Sequence, residues 1–283
     1  MLRAYYQLTK PGIIYGNMLP TIAGFLFASQ RHIHWTLLLQ TVVGLALVIA
    51  SACVYNNVID RDIDKKMART KRRPLVRGSI RVRAALIYAT VVGIIGFAAL
   101  FGTNWVAFSL AVLGFVVYVG VYAVAKRASP LGTIVGSISG AVPPAIGYTA
   151  VRGDINSSAV ILFAILVCWQ MPHFYAIALY RLKDYTAVQI PVLPAKKGPF
   201  HTKVQMTVFA SLFIVASLAL AIYDAAGWLY AITAAVLSIG WLIRITSGFW
   251  RSDTAVWARQ VFLDSLTVLT LLCVMIGLSP WLV

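Results

Sequence analysis

Asp60, Asp62 and Asp64 place three of the chain's eight acidic residues within five positions, directly after Asn56 and Asn57, in the run NNVIDRDID. On a helix, positions i, i+4 and i+8 fall near one face. The spacing therefore predicts that Asn56, Asp60 and Asp64 converge, with Asn57 alongside and Asp62 turned away. Carboxylate and amide oxygens are hard ligands. They suit Mg2+, which keeps several waters and takes one or two carboxylates plus substrate phosphates. No cluster of thiolates or histidines nearby offers a softer site. Ten basic residues follow between Arg61 and Arg83, and Arg69, Lys71, Arg72 and Arg73 lie within a few turns of the aspartates. Guanidinium groups bind phosphate oxygens in pairs, so a divalent cation held by acids and flanked by bases makes a cradle for a diphosphate. The competing reading is a solvated helix end whose aspartates pair with the bases that follow.

The elements that must position these residues are membrane helices. The 283-residue chain is 60% hydrophobic, carries a formal net charge of +16 and contains no glutamate; its mean hydropathy is +0.84. Nine apolar segments, about 12–29, 36–59, 84–101, 105–125, 131–150, 159–180, 204–223, 228–245 and 261–280, have the length of bilayer spans. Because irregular backbone cannot face lipid, they are expected to be helices. The predicted fold is all-α: a polytopic membrane protein of nine transmembrane helices around a central cavity. With the N-terminus in the cytoplasm, all but two of the 24 Lys and Arg residues fall in cytoplasmic segments; Arg31 and Arg152 are the exceptions. That asymmetry sets the orientation and attributes the positive charge to anionic lipid rather than nucleic acid.

The chain reads as one membrane domain, residues 1–283, with no soluble domain. Two long cytoplasmic connections follow the second and sixth helices. They suggest a weak repeat of two four-helix halves, about 12–127 and 131–245, with a final helix about 261–280. LTKPG at Leu8 to Gly12 reads as a helix start, with Thr9 as cap and Pro11 in the first turn, and not as a cleaved signal. Cys53, Cys168 and Cys273 all lie in apolar runs, without metal or disulfide spacing. His173 sits inside an apolar span just after Pro172, and a buried ionisable group in a membrane is a functional candidate. SGAVPPAIGY, Ser139 to Tyr148, is expected to break the fifth helix and line a cavity. His32 and His34 belong to the outer interface.

NNVIDRDID resembles the first aspartate-rich motif of the UbiA-type intramembrane prenyltransferases, NDxxDxxxD, with Asn57 where many members have Asp. LTKPG, RTKRRPLVRG, YAVAKRASPLGTIVGSISGAVPPAIGY and WQMPHFYAIALYRLKDYTAVQIPVLPAKKG resemble the protohaem IX farnesyltransferase (haem O synthase) branch of that family. These stretches span residues 8–198. The last three helices match in pattern only.

The resemblance implies transfer of a farnesyl group from farnesyl diphosphate to the 2-vinyl group of haem b, giving haem O, with Mg2+ as cofactor. It implies that Asp60, Asp64 and Asn56 hold the metal and that Asn56 and Asn57 orient the diphosphate. Arg69, Arg73 and Lys126 would neutralise the leaving group, with Arg72 and Arg127 beside them. The second motif departs from the DxxxD of many relatives. Tyr180 replaces its first acid and Lys183 precedes the surviving Asp184, which suits one firmly held metal with Lys183 on the diphosphate. His173, Tyr180 and His201 are haem-binding candidates. Tyr118, Tyr122, Tyr148 and Phe174 are available to shield an allylic cation. The resemblance also implies a bacterial inner-membrane location, with a haem A synthase or terminal-oxidase assembly factor as partner. Two other readings stay open: a prenyltransferase with a quinone-precursor or other aromatic acceptor, and a transporter.

Overall fold

The backbone follows the hydropathy. In the structure, a computed structural model describing residues 1–67, 69–223 and 226–282, nine helices are long and apolar enough to cross a membrane. The elements run α1 (Leu2–Leu8), α2 (Pro11–Ser29), α3 (Trp35–Ile59), α4 (Arg61–Lys66) and α5 (Val82–Phe101). The fourth span is α6 (Trp105–Val116), a π-helical turn at Val117–Val121 and α7 (Tyr122–Ala128). Then come α8 (Gly132–Arg152), α9 (Ser157–Tyr180), α10 (Leu182–Ala187), α11 (Leu193–Tyr223), α12 (Gly227–Thr246) and α13 (Thr254–Leu282). Helices α1, α4 and α10 are too short to span a bilayer.

Consecutive spans pack as neighbours: α3 on α5, α8 on α9, α9 on α11, and α11 on α12. The seam between the earlier and later spans is α2 against α8, and α13 closes the bundle on α2, α9 and α12. The seam is tight because its contact residues are small. A Cβ on Gly24 would run into the Pro144 carbonyl, and one on Gly147 into that of Thr21. Lipid tails are as apolar as leucine, so close backbone packing carries helix association.

Four expectations change. Helix α8 is continuous through Pro143 and Pro144, both buried, and Pro144 packs against α2. The pair serves helix packing and not a broken, cavity-lining backbone; the φ that proline imposes is already helical. Thr9 does not cap α2. Its hydroxyl donates back to the Tyr6 carbonyl at 2.8 Å, and the cap residue is Lys10, in the left-handed region at φ 52°, ψ 67°, with Pro11 in the first turn as expected. The seventh span begins early, with a kink at Gly198 (φ 80°), so His201 lies on helix α11 and not in a loop. The last span starts at Thr254, seven residues before the apolar run. Asp253 caps it, its carboxylate accepting from the amides of Ala255 and Val256 at 2.9 and 3.0 Å.

Candidate active site

Helix α3 stops at Asp60, which adopts φ −89° and ψ 5° and opens α4. The Asp64 amide still donates to the Asp60 carbonyl at 2.8 Å, so the helical offset survives the break. Asp62 and Asp64 in the first turn of α4 and Lys65 and Lys66 in its last complement the helix dipole. Beyond α4 the basic loop folds back. Thr70, Leu75 and Ile80 are buried, Leu75 and Ile80 packing with Leu8 and Val54. Thr70 Oγ1 donates to the Asp64 carbonyl at 3.0 Å and Arg61 Nε to that of Leu75 at 3.2 Å.

This folding delivers Arg73 to the aspartates. Its guanidinium donates to Asp64 Oδ2 at 2.5 Å and to Asn57 Oδ1 at 3.1 Å, and Asp64 is only 4% exposed. From the other side comes α7. Lys126 Nζ donates to Asp60 Oδ2 at 2.5 Å. Arg127 forks onto both Asp62 oxygens at 3.0 and 2.9 Å, onto the Ile59 carbonyl at 2.7 Å and onto Asp60 Oδ1 at 3.4 Å. The π turn before α7 adds a residue to the helical ladder, a device frequent at functional sites. Just beyond it Tyr122 stacks on Tyr118, ring centroids 5.6 Å apart, with the Lys126 ammonium 5.1 Å from the Tyr122 ring. Hydrogen bonds from Arg127 hold the Asp62 carboxyl below its usual range.

A third basic arm was not legible beforehand. Lys10 turns its ammonium onto Asn56 Oδ1 at 2.8 Å. Burial pushes it down to about 8, with Arg73 acting in the same direction and Asp60 and Asp64 opposing. Asn57 Nδ2 donates to the Leu8 carbonyl at 2.8 Å. The other amide nitrogen, Asn56 Nδ2, is buried with no hydrogen-bond partner among the described residues. Burying an unpaired donor is costly, so the orphan points to an acceptor brought by a ligand.

The remaining candidates divide. Tyr185, another residue the sequence did not flag, lies within electrostatic range of Arg69 and Tyr122, and burial pushes its hydroxyl up. The segment after α10 also meets α4, since a cleft of about 250 Å³ is lined by Asp62, Lys66, Arg127 and Gln189 among others. Asp184 pairs loosely with Arg181 at 3.8 Å, and Lys183 is exposed. Arg69 and Arg72 are exposed, and among the described residues neither pairs with a carboxylate. Tyr148 is remote, held by Asn156 Nδ2 at 3.1 Å against Phe27.

His173, 8% exposed, forms a second centre. It stacks on Trp169 at 4.6 Å, and Phe262 of α13 lies 5.0 Å from His173 and 5.8 Å from Tyr180. Phe174 flanks it at 5.4 Å. Its Nδ1 is 2.7 Å from Ser265 Oγ, whose own proton goes to the Phe262 carbonyl at 2.5 Å. The serine has one proton to give, so the imidazole Nδ1–H must donate and Nε2 keeps its lone pair. His201 is not part of this centre; it is exposed beside Phe200.

No group of three or more His, Cys, Asp or Glu residues able to hold a metal occurs among the described residues. Two carboxylates with substrate phosphates do fit Mg2+, and Asp60 and Asp64 are such a pair, each matched to a cation.

Residues 17–266 match the UbiA prenyltransferase family. The chain is 51% identical over 281 residues to a protoheme IX farnesyltransferase of Klebsiella pneumoniae subsp. pneumoniae, covering 99% of this chain and 95% of that protein. Among solved structures it resembles a digeranylgeranylglyceryl phosphate synthase, at 19% identity and TM-score 0.83, over 100% of this chain and 99% of the other. It also resembles a UbiA homolog from Archaeoglobus fulgidus bound to GPP and Mg2+, at 15% identity and TM-score 0.71, over 94% and 99%. With the motif at the foot of α3, the nine spans and near full-length identity in agreement, the chain belongs to the UbiA prenyltransferase family.

Proposed function

We propose that this chain transfers a farnesyl group from farnesyl diphosphate to the 2-vinyl group of haem b, giving haem O and releasing diphosphate. One observation carries the reading: two carboxylates at the foot of an apolar helix, each gripped by a cation from a separate element, beside a buried unpaired amide donor. Such a cluster is balanced without ligand and rearranges around a metal-bound polyanion. The charge split supports a position on the cytoplasmic face of the bacterial inner membrane, where a water-soluble headgroup would enter while its isoprenoid tail lies among apolar side chains.

Asp60 and Asp64 would hold Mg2+, which when bound lowers the charge developing on the leaving diphosphate. Asn56 contributes its nitrogen to a phosphate oxygen, and its oxygen, which accepts from Lys10 through one of two lone pairs, stays available to the metal. Arg73, Lys126 and Arg127 turn from carboxylates to phosphate oxygens and stabilise the charge most as the C1–O bond breaks. Arg69 and Arg72 sit on the loop after α4, and Lys183 and Asp184 on α10, the two segments beside this mouth. Tyr118 and Tyr122 present ring faces to the allylic cation. The vinyl π pair forms the new carbon–carbon bond, and water adds at the adjoining carbon with loss of a proton, leaving a hydroxyethylfarnesyl substituent.

His173 suits the acceptor. Its neutral imidazole keeps the Nε2 lone pair for haem iron, with Ser265 fixing the tautomer, the usual arrangement of a ligating histidine. Phe262 and Tyr180 offer apolar faces to the macrocycle. The test is to supply purified protein with haem b, farnesyl diphosphate and Mg2+ and weigh the haem. Prenylated haem is expected. Transfer to 4-hydroxybenzoate without transfer to haem would replace the acceptor, and no transfer to either would overturn the reading.

A further inference from the structure

We propose that Lys10 is a diphosphate-binding residue, its ammonium and the Asn56 amide nitrogen forming a paired donor site for phosphate oxygens. This rests on reading the aspartate cluster as a diphosphate site, and it adds an arm from the start of the chain.

Charge matching sets Lys10 apart from the three cations that touch the aspartates. Arg73 is paired with Asp64, Lys126 with Asp60, and Arg127 with Asp60 and Asp62. Among the described residues the Lys10 ammonium has only the neutral Asn56 oxygen as its hydrogen-bond partner. An ammonium carries three donors, so two remain. Beside it, on the same amide, Asn56 Nδ2 is buried and has no partner among the described residues. These donors with no acceptor between them match an acceptor-only anion.

The backbone around Lys10 is arranged for this delivery. A residue with a Cβ is disfavoured at φ 52°, ψ 67°, and such conformations persist where surrounding structure over-determines them. Three ties do so. Asn57 Nδ2 holds the Leu8 carbonyl across 49 residues of sequence, the Thr9 hydroxyl closes on the Tyr6 carbonyl, and Pro11 fixes the first turn of α2. The tie to Leu8 requires a donor. An aspartate at position 57 could not make it, so the amide at this place in the motif serves the N-terminal segment.

The experiment measures binding of Mg2+-pyrophosphate to the full chain in detergent by calorimetry, alongside the thermal unfolding midpoint, for the wild type and for Lys10→Gln, Lys10→Met and Lys10→Arg. Lys10→Gln keeps a donor to Asn56 Oδ1, so a purely structural tie survives in it. The expected result is a loss of pyrophosphate affinity of about 10–100-fold in Lys10→Gln and Lys10→Met, substantial recovery in Lys10→Arg, and an unfolding midpoint in Lys10→Gln within a few degrees of wild type. Wild-type affinity in Lys10→Gln overturns the assignment while leaving the diphosphate site standing. Absence of pyrophosphate binding to the wild type overturns both.

Discussion

Lys126 and Asp60, 66 residues apart in sequence, are joined by a 2.5 Å ion pair that ties the end of the fourth span to the foot of the second. The same carboxylate is a candidate metal ligand, so the lysine and the cation compete for it. Lys126→Met is expected to raise the affinity of the free protein for Mg2+ yet lower kcat about 100-fold, because the leaving-group charge loses its partner. Metal titration and turnover measured on one preparation check both signs. A fall in both would make Lys126 a structural residue.

Asp64→Ala strands a guanidinium. Arg73 has Asp64 and Asn57 as its side-chain partners, and the Asp64 side chain is 6% exposed. Removing one partner of a buried pair leaves the other uncompensated, at a cost near the lower end of the usual range, about 3 kcal/mol. Thermal unfolding in detergent should show that loss. Pairing Asp64→Ala with Arg73→Met should recover most of the stability without recovering turnover.

Ser265→Ala separates the acceptor from the donor. It removes the oxygen that accepts from His173 Nδ1, so the imidazole tautomer is no longer fixed. Haem affinity, read from the Soret band, is expected to fall about 10-fold, in line with outer-shell substitutions at metal sites. Binding of Mg2+-pyrophosphate should not change. His173→Ala should abolish the axial ligand signal altogether.

The Asp62–Arg127 pair has a pH signature. Its carboxyl is held below the usual range in the folded chain. Its contribution is therefore present above the unfolded value of about 4 and is lost as pH falls through the lowered folded value. Asp62 is 65% exposed at its side chain, so the contribution is tenths of a kcal/mol. Asp62→Asn should lower the unfolding midpoint slightly at pH 7, by less as pH falls below the unfolded value, and not at all once pH lies below the lowered folded value.

Orientation is checked with two new thiols. The native cysteines lie within spans α3, α9 and α13. Lys65→Cys and Asp154→Cys place one exposed thiol at each end of the bundle. In intact cells, a membrane-impermeant maleimide should label Asp154→Cys and spare Lys65→Cys.

Long-range contacts explain what could be read in advance. The Asp60 and Asp64 offset is local and follows from helical periodicity, which the break at Asp60 preserves through one backbone hydrogen bond. The roles of Lys10, Phe262 and Ser265 are not local. Lys10 meets Asn56 across 46 residues and His173 meets Ser265 across 92. LTKPG offered helix-start chemistry, which pointed to Thr9, and a family resemblance, which assigned no role to Lys10. The proline pair in α8 misled for a related reason. Prolines mark a break in an isolated helix, whereas here α2 lies directly against them.

What residue order alone determined was the number of spans, the asymmetry of charge between the two ends, and the grouping of carboxylates with bases. A hydrocarbon interior leaves the backbone no alternative to helices, and burying a charge there is too costly to be casual. Only the tertiary structure decided which cation meets which carboxylate, that the turn between α1 and α2 brings Lys10 to Asn56, and that the last helix completes the surroundings of His173. Those pairings depend on how close two backbones can come, and that distance is set by small side chains at the helix seams, far from the residues they bring together.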